Sequence, residues 1–166
     1  VRQDGPGTHF EMDGLALLAH RQLADTHSFI DHAAPHGTSR QLHKCVVADG
    51  AHAVFNGRIL VREGAQQTDS AQESRNLLLS DKAKVDTKPQ LEIFADDVKC
   101  AHGATVGQLE AEEVFYLRSR GLSEPVARNL LTYAFAADIV DRIPVPSLVR
   151  VLRARIIERT GGPEIP

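Results

Sequence analysis

The densest group of reactive side chains lies between residues 96 and 107, in the run DDVKCAHGATVG. Cys100 and His102 are two residues apart, so on an extended strand both side chains point to the same face. A thiolate beside an imidazole can bind iron or zinc, or can act as a nucleophile with its base. A single Cys-x-His pattern is a weak signal. On spacing alone, it favours a half-buried cysteine beside a hydrogen-bonded histidine.

Five of the eight histidines fall within 24 residues, and they are His20, His27, His32, His36 and His43. On a helix, two histidines four residues apart can bind one metal ion. Pro35 disfavours helical backbone at this point, so His32 and His36 need not share a face. There is also no pair of cysteines at two-residue spacing that would complete a zinc site. We therefore predict surface or hydrogen-bonded loop histidines rather than a ligand cluster.

The remaining reactive residues give weaker signals. Cys45 lies in an apolar run, where a cysteine usually acts as a small buried hydrophobe. Asp96 and Asp97 stand beside Lys99, a combination more typical of a solvated turn than of a cation site. The sequence contains no G-x-S-x-G, no H-E-x-x-H and no phosphate-binding glycine loop. The motifs of the common hydrolases and nucleotide-binding enzymes are therefore missing.

The composition is that of an ordinary globular chain of 166 residues, 42% of them hydrophobic and 25% charged. The net charge of −3 provides no basic field to hold nucleic acid, so we expect no nucleic-acid partner. No apolar run approaches the roughly 18 residues of a membrane span, and two cysteines are typical of a reducing compartment. The chain starts at Val1 rather than at Met, so we expect a fragment or a processed chain.

Up to about residue 108 the chain consists of short β-rich runs that end at turn residues. The runs are 26–31, 46–48, 53–55, 59–61, 77–79 and 91–98. No amphipathic helix is available to connect parallel strands, which excludes a doubly wound fold. Two interpretations stay open: a hairpin with a type I′ turn at Asn56-Gly57, or a parallel β-helix with strands of three to five residues. The residues alone therefore predict a β-solenoid or a sandwich, and they show no strict repeat.

The chain after residue 108 has helical spacing. Acidic residues at the start and arginines before Gly121 predict a first helix over 110–120. Ser123 is a favourable N-cap for a second helix that runs to about Val140. Pro144 and Pro146 precede a third helix, which has an apolar stripe on one side and arginines on the other. That basic side is either a solvated face or a partner surface.

Four segments, taken together, are more specific than any single residue. They are AVFNGRILV (53–61), AQQTDSAQESRNLLLS (65–80), KPQLEIFADDVKCAHGATVG (88–107) and FYLRSRGL (115–122). In this order they resemble the C-terminal half of SufD-type members of the SufB/SufD family, subunits of the SUF scaffold for iron-sulfur cluster assembly. The resemblance extends from about Asp25 to about Asp141, and it does not include the N-terminal half. SufB shares related segments, so a SufB-type paralogue is the alternative.

The resemblance implies a fold that is mainly β with α: a right-handed parallel β-helix, or β-solenoid, followed by a small C-terminal helical domain. We accordingly predict three regions. They are an N-terminal segment over 1–24, a β-helix core over 25–108 and a SufC-binding helical domain over 109–166. The resemblance, and not the spacing, decides between the solenoid and the sandwich.

The resemblance also implies a non-catalytic scaffold subunit of a SufBCD complex. Such a subunit pairs with SufB at the cluster assembly interface, and its helices dock the ABC ATPase SufC, which hydrolyses ATP. The family places functional weight on the histidine of its Cys-x-His motif, here His102. Cys100 is secondary, since SufB is thought to supply the principal cysteine. The residues predicted to contact SufC are Val126, Leu130, Tyr133, Arg150 and Arg153.

Further expectations follow from the same resemblance. The isolated chain binds no cofactor, and a transient iron-sulfur cluster forms at the SufB–SufD interface. Without SufB the chain could form a homodimer; no membrane partner is expected, and the location is the cytoplasm, or the plastid stroma for a plant or an alga. The rival class is a β-helix carbohydrate-active enzyme, which needs paired carboxylates and an aromatic groove. Two Tyr, six Phe and no Trp argue against such a groove.

Overall fold

The computed structural model describes residues 1–161, which form eight β-strands and then three α-helices. The strands are β1 (Arg2–Gln3), β2 (His9–Leu18), β3 (Leu23–His32), β4 (Thr38–Val47), β5 (His52–Val61), β6 (Asp69–Leu78), β7 (Lys84–Ile93) and β8 (Lys99–Gly107). The helices are α1 (Ala111–Ser119), α2 (Glu124–Val140) and α3 (Pro146–Thr160). The end of the predicted helical region, residues 162–166, lies outside the described part.

The strands alternate between two parallel four-stranded sheets. The first sheet has the order β1-β3-β5-β7, and the second sheet has the order β2-β4-β6-β8. Each circuit of the chain therefore adds one strand to each sheet, which is the architecture of a parallel β-helix. The prediction of a β-solenoid followed by helices is confirmed. Residues 2–18, which the sequence analysis assigned to an N-terminal segment, contribute β1 and β2 to these sheets.

The predicted hairpin at Asn56-Gly57 is wrong, because both residues lie in the middle of β5. The predicted strand length of three to five residues is also wrong, since β2 to β7 have ten residues each. Gly57 serves close packing here: a Cβ atom at this position would lie 2.4 Å from Nε2 of Gln72. An interior side chain therefore explains the glycine that looked like a turn residue.

The corners between the strands share a repeated backbone conformation that is not visible as a sequence repeat. Left-handed backbone recurs at the corners before the second-sheet strands, with φ of 68° at Gly7, 61° at His36 and 58° at Gln67. The opposite corners have it at His20 and Asp49, with φ of 59° and 54°. Only glycine adopts this conformation readily, so the corner contacts must hold the other residues there. The backbone N–H of His20, for example, donates to Oδ2 of Asp49 at 2.8 Å.

The helices pack against the outer face of the second sheet. A hydrophobic cluster joins Leu42, Val46 and Leu77 of the strands to Ile139 of α2 and Ile156 of α3. Burial of these side chains is the main force that holds the helices on the sheet. Where the sequence predicted a helix end, the observed end lies within two residues of it. The prediction of three helices after the strands is confirmed.

A buried lysine adds a polar contact between the sheet and α2. Lys44 of β4 donates to the carbonyl oxygen of Phe135 at 2.9 Å and to the carboxylate of Asp138. Its Nζ also lies 4.6 Å from the centre of the Phe135 ring. The lysine side chain is only 4% exposed. These contacts satisfy a charge that would be costly to bury alone.

Candidate functional site at the end of the solenoid

The last coil of the solenoid has unpaired strand edges. In the described chain, β7 pairs only with β5, and β8 pairs only with β6. The second edge of each strand therefore presents backbone N–H and C=O groups without strand partners. Cys100 and His102 both lie on β8, so this end of the molecule is where the two candidate residues are found.

Cys100 and His102 end two columns of inward-facing side chains in the second sheet. In a parallel sheet, residues in register stack directly on one another along the solenoid. The cysteine column consists of Phe10, Ser39, Ser70 and Cys100, and the histidine column consists of Met12, Gln41, Gln72 and His102. The two site residues therefore share a face, as their two-residue spacing predicts.

The Cys100 thiol is half-buried at the rim of the core. It packs against the hydrophobic cluster that contains Ile30, Ile59 and Val61. Burial raises the pKa of Cys100, and the backbone N–H of Ser70 opposes that rise only in part. A thiol with a raised pKa is mainly protonated at neutral pH, so Cys100 by itself is a poor nucleophile. The described chain also shows no hydrogen bond between Cys100 and His102, and the nucleophile-and-base alternative therefore lacks geometric support.

The His102 ring is exposed at the open end. It lines a cavity of about 520 Å³ that runs between β6 and β8 and that also includes Gln72 and Ser74. Among residues 1–161, no side chain forms a hydrogen bond with the ring. An exposed imidazole can offer a nitrogen lone pair to iron or another borderline metal.

The histidines that crowd residues 20–43 do not converge on one point. His32 and His43 lie inside the solenoid, where His32 Nε2 is 2.9 Å from Ser39 Oγ and His43 stacks on Phe55 at 4.6 Å between ring centres. Burial lowers the pKa of both histidines, which favours the neutral ring. Within residues 1–161, no three His, Cys, Asp or Glu side chains are placed to hold one metal ion. Cys100 and His102 thus supply at most two ligands.

The sequence did not predict the buried polar side chains of the cysteine and histidine columns. Gln41, Gln72, Ser39 and Ser70 are all buried, although their residue types are those of a protein surface. The available signal was the match between alternating runs about 30 residues apart. That match is hard to detect, because the pairing distance changes from 29 residues at His9 to 32 residues at His52.

The five residues predicted to contact an ATPase differ in exposure and in their contacts. Val126 and Arg150 are exposed on α2 and α3. Leu130 is partly buried. Tyr133 packs against the cluster between the helices and the sheet, and Arg153 donates to Asp141 Oδ1 at 2.8–2.9 Å. Val126 and Arg150 are therefore available to contact a partner, whereas Tyr133 and Arg153 already have contacts within the chain.

Large apolar side chains are exposed on all three helices. They are Phe115 and Tyr116 on α1, Val126 on α2, and Leu148 and Val151 on α3. Large exposed apolar side chains of this kind are typical of interaction surfaces. None of the helices in residues 1–161 combines the length and the apolar character needed to cross a membrane.

The sequence of this chain is similar to those of known iron-sulfur cluster assembly proteins. Residues 1–135 match the family described as SUF system FeS cluster assembly, SufBD core domain. The chain is 54% identical over 160 residues to an iron-sulfur cluster assembly SufBD family protein of Synechocystis. It is 43% identical over 159 residues to the iron-sulfur cluster assembly protein SufD of Escherichia coli, and 43% identical over 145 residues to protein ABCI7, chloroplastic, of Arabidopsis thaliana.

The matches cover almost all of this chain but only part of each relative. They include 96%, 96% and 87% of this chain, and 35%, 38% and 30% of the Synechocystis, E. coli and Arabidopsis proteins. The chain therefore spans about a third of the length of these relatives. The family model, the identity with SufD and the parallel solenoid agree with one another, and the chain belongs to the SufB/SufD family of the SUF iron-sulfur cluster assembly system.

Proposed function

We propose that this chain is the SufD-type half of a SufBCD scaffold on which iron-sulfur clusters are assembled. The observation that carries the proposal is the position of His102 and Cys100, which end two inward-facing columns on β8, the last strand of the solenoid, whose second edge has no strand partner in residues 1–161. The role is that of an assembly component, as the family name indicates, and ATP hydrolysis belongs to the partner SufC. The SufB-type paralogue remains the alternative assignment.

The unpaired end is the surface that we assign to SufB. The free edges of β7 and β8 are ten and nine residues long, and edges of this length readily pair with another chain. A paralogue that also ends in a solenoid could cover both edges and bury the rim around Cys100. In the absence of SufB, the same edges could pair with a second copy, which would give the homodimer.

At that interface, this chain would supply an imidazole and the partner would supply a thiolate. His102 would offer one ring nitrogen to the nascent cluster, which is the cargo of the complex and not its resident cofactor. Cys100 would form part of the wall beside it, because its protonated thiol is a weaker ligand than a thiolate. A single ligand from this chain leaves positions for the partner's sulfur.

The helices are the surface that we assign to SufC. Between Arg142 and Thr160 there are five arginines and one glutamate, so this segment is basic in a chain of net charge −3. Three of the arginines, Arg142, Arg153 and Arg155, form ion pairs within the chain. Helix α3 exposes Arg150 as well as the apolar Leu148 and Val151, and an interface with an apolar centre and a charged rim would use both kinds of side chain.

A pull-down with SufC tests this surface. Truncation after Asp141 should abolish SufC binding and leave the β-helix folded. It also removes Ile156 from the core, so a surface variant is the sharper test. Val126→Asp together with Arg150→Glu should reduce SufC binding at unchanged melting temperature, while the matched pair Arg21→Glu and Leu23→Asp on the solenoid should leave it intact. Retention of SufC by the helix variant would move the interface elsewhere.

Cluster content per assembled complex tests the site itself. His102→Ala should remove most of the cluster from a complex purified from cells, and SufB and SufC association and the melting temperature should stay nearly unchanged because the ring is exposed. His27→Ala is the matched control, since it alters an exposed histidine on the outer face of β3. Cys100→Ser should have a milder effect. Wild-type cluster content in His102→Ala would exclude a role as ligand.

The proposed location follows from the thiols and from the relatives. Both cysteines are free in the described chain, in keeping with a reducing compartment. We propose the cytoplasm for a bacterial source and the plastid stroma for a plant or an alga. Fractionation of cells that express the tagged chain would test this location.

A further inference from the structure

A directed chain of hydrogen bonds runs through the histidine column. Gln41 Nε2 donates to Met12 Sδ at 3.3 Å and to Ser28 Oγ at 2.9 Å. On the next coil, Gln72 Nε2 donates to Gln41 Oε1 at 2.7 Å. Each amide thus uses its nitrogen toward the preceding coil. Donation therefore runs away from β8, and each amide oxygen faces the next coil, on the side of β8.

The sulfur of Met12 fixes that direction. A thioether can accept a hydrogen bond but cannot donate one, so the amide nitrogen of Gln41 must face it. The amide oxygen of Gln41 then faces Gln72, and the Gln72 amide must present its nitrogen in return. This arrangement leaves Gln72 Oε1 as the final acceptor. It is buried, and no group in residues 1–161 donates to it.

His102 is the next residue of the column and carries the donor that Gln72 lacks. The two residues are in register on β6 and β8, and both line the cavity at the open end. On the facing sheet the corresponding residue is Pro89, the register partner of Gly57, and proline has no N–H group. A rival donor is the hydroxyl of Thr87, which is also buried without a partner in residues 1–161.

We propose that Gln72 is a positioning residue for His102. Rotation of the exposed His102 side chain brings one ring N–H to Gln72 Oε1, and the hydrogen bond keeps the proton on that nitrogen. The other nitrogen is then held unprotonated and available as a ligand, in the way that second partners orient metal-binding histidines. The use of that free nitrogen in cluster assembly rests on the proposed function; the hydrogen bond itself does not.

Nitrogen-15 NMR of the histidine rings tests the hydrogen bond in the protein without partners. At a pH where imidazole is neutral, wild-type His102 should show a single tautomer and a ring N–H proton that exchanges slowly with water. Gln72→Met preserves the shape of a column that already contains Met12, but it removes the acceptor. We expect this variant to show averaged tautomers and to lose the slowly exchanging proton. If Gln72→Met does not fold, Gln72→Leu provides the same comparison.

Two further variants separate positioning from packing. In Gln72→Glu, burial favours the protonated acid, whose O–H can donate to Gln41 while its C=O still accepts from His102. This variant should therefore retain the wild-type signals. Thr87→Val removes the rival donor and should also leave the His102 signals unchanged. Averaged tautomers in the wild type, or wild-type signals in both Gln72→Met and Gln72→Leu, would overturn the proposal.

Cluster content links the hydrogen bond to function. Gln72→Met should lower cluster content per complex about tenfold, the usual scale for loss of a ligand's orienting partner, and Gln72→Glu should restore it. Wild-type cluster content in Gln72→Met would overturn the positioning role. If the tautomer is fixed but His102→Ala retains its cluster, the proposed function fails while the Gln72–His102 hydrogen bond stands.

Discussion

The middle coils and the last coil place side chains of one orientation in different surroundings. Strand β6 has neighbours on both sides, and its inward residues Ser70 and Gln72 are 1% and 0% exposed. Strand β8 has one neighbour in the described chain. Its residues in register with them, Cys100 and His102, are half-buried and exposed. Position along the solenoid axis therefore decides burial, because the columns continue without a change of register.

Side chains in the middle coils therefore contribute mainly to stability, and side chains in the last coil are accessible for reaction or binding. A side chain in a middle coil is covered by the coils before and after it, so its removal leaves a cavity. A side chain at the end has the same backbone support but an open side, so it can react or bind at little cost to the fold. Matched substitutions in a middle coil and in the last coil test this difference.

The two cysteines should show the largest contrast. Cys45 is 1% exposed and burial raises its pKa to about 11, whereas Cys100 is half-buried at the rim. In native buffer, a maleimide should modify Cys45 at least about a thousandfold more slowly than Cys100, because access to Cys45 requires the coils to open. Mass spectrometry with the Cys100→Ser variant as control gives the two rates. Equal rates, or a disulfide between the two, would contradict the contrast.

Aliphatic residues should show the next largest difference. Ile59 is fully buried in β5, and Ile59→Ala should lower the free energy of unfolding by about 3 kcal/mol. Val106 of β8 is in register with the buried Asn76 but is 47% exposed, so Val106→Ala should cost less than about 1 kcal/mol. Urea titration measures both values. A large loss at Val106 would mean that the end coil is packed by something other than the coil before it.

Substitutions at ion pairs should also cost more at buried than at exposed positions, with smaller changes in the free energy of unfolding. Lys44→Ala removes the contact that joins β4 to α2 and should lower the free energy of unfolding by about 2 kcal/mol. Arg58→Ala breaks an exposed pair with Glu92 and should have a much smaller effect, because solvent screens that pair. The Lys44 hydrogen bond lowers the pKa of Asp138. The stabilisation is therefore complete above the ordinary pKa of that carboxyl and is lost as pH falls through the lowered value. Lys44→Ala should lack this acid-sensitive part.

The buried histidines should give the smallest effect at neutral pH, and it should grow in acid. Burial lowers the pKa of His43 from its ordinary value of 6.5, so the unfolded chain takes up the proton first. Stability is complete above pH 6.5 and declines as pH falls from there toward the lowered value. His43→Gln should flatten part of this decline in denaturation curves measured at several pH values. Ile59→Ala, the control, should lower the whole profile evenly, and an unchanged slope in His43→Gln would assign the decline to other groups.

Local patterns predicted the helices well and the strands poorly. Acidic starts, Ser123 and the prolines placed all three helices, because helix ends depend on nearby residues. Asn56-Gly57 looked like a turn by the same local reasoning, yet Gln72, which is distant in sequence, needs the space of Gly57. The choice of a β-helix came from the resemblance, since pairing between coils 29–32 residues apart leaves no short motif.

The candidate site was half predictable. The alternation of a strand was enough to place Cys100 and His102 on one face. Their contact with a polar interior was not predictable, because Ser70 and Gln72 read as surface residues until the register brings them under β8. Tyr133 of α2, predicted to contact a partner, is partly buried and also packs against the chain's own core, a contact that the helical spacing did not reveal.

The corners of the solenoid can accommodate changes in chain length. Strands β2 to β7 all have ten residues, whereas the corner between β3 and β4 spans 33–37 and the corner between β5 and β6 spans 62–68. The differences in length between these coils therefore lie outside the sheets. Insertions at corners therefore need not shift any inward side chain to the outer face. Glu63 and Gly64, exposed at the longer corner, are suitable positions for a peptide tag or a fluorescent label that leaves the columns in register.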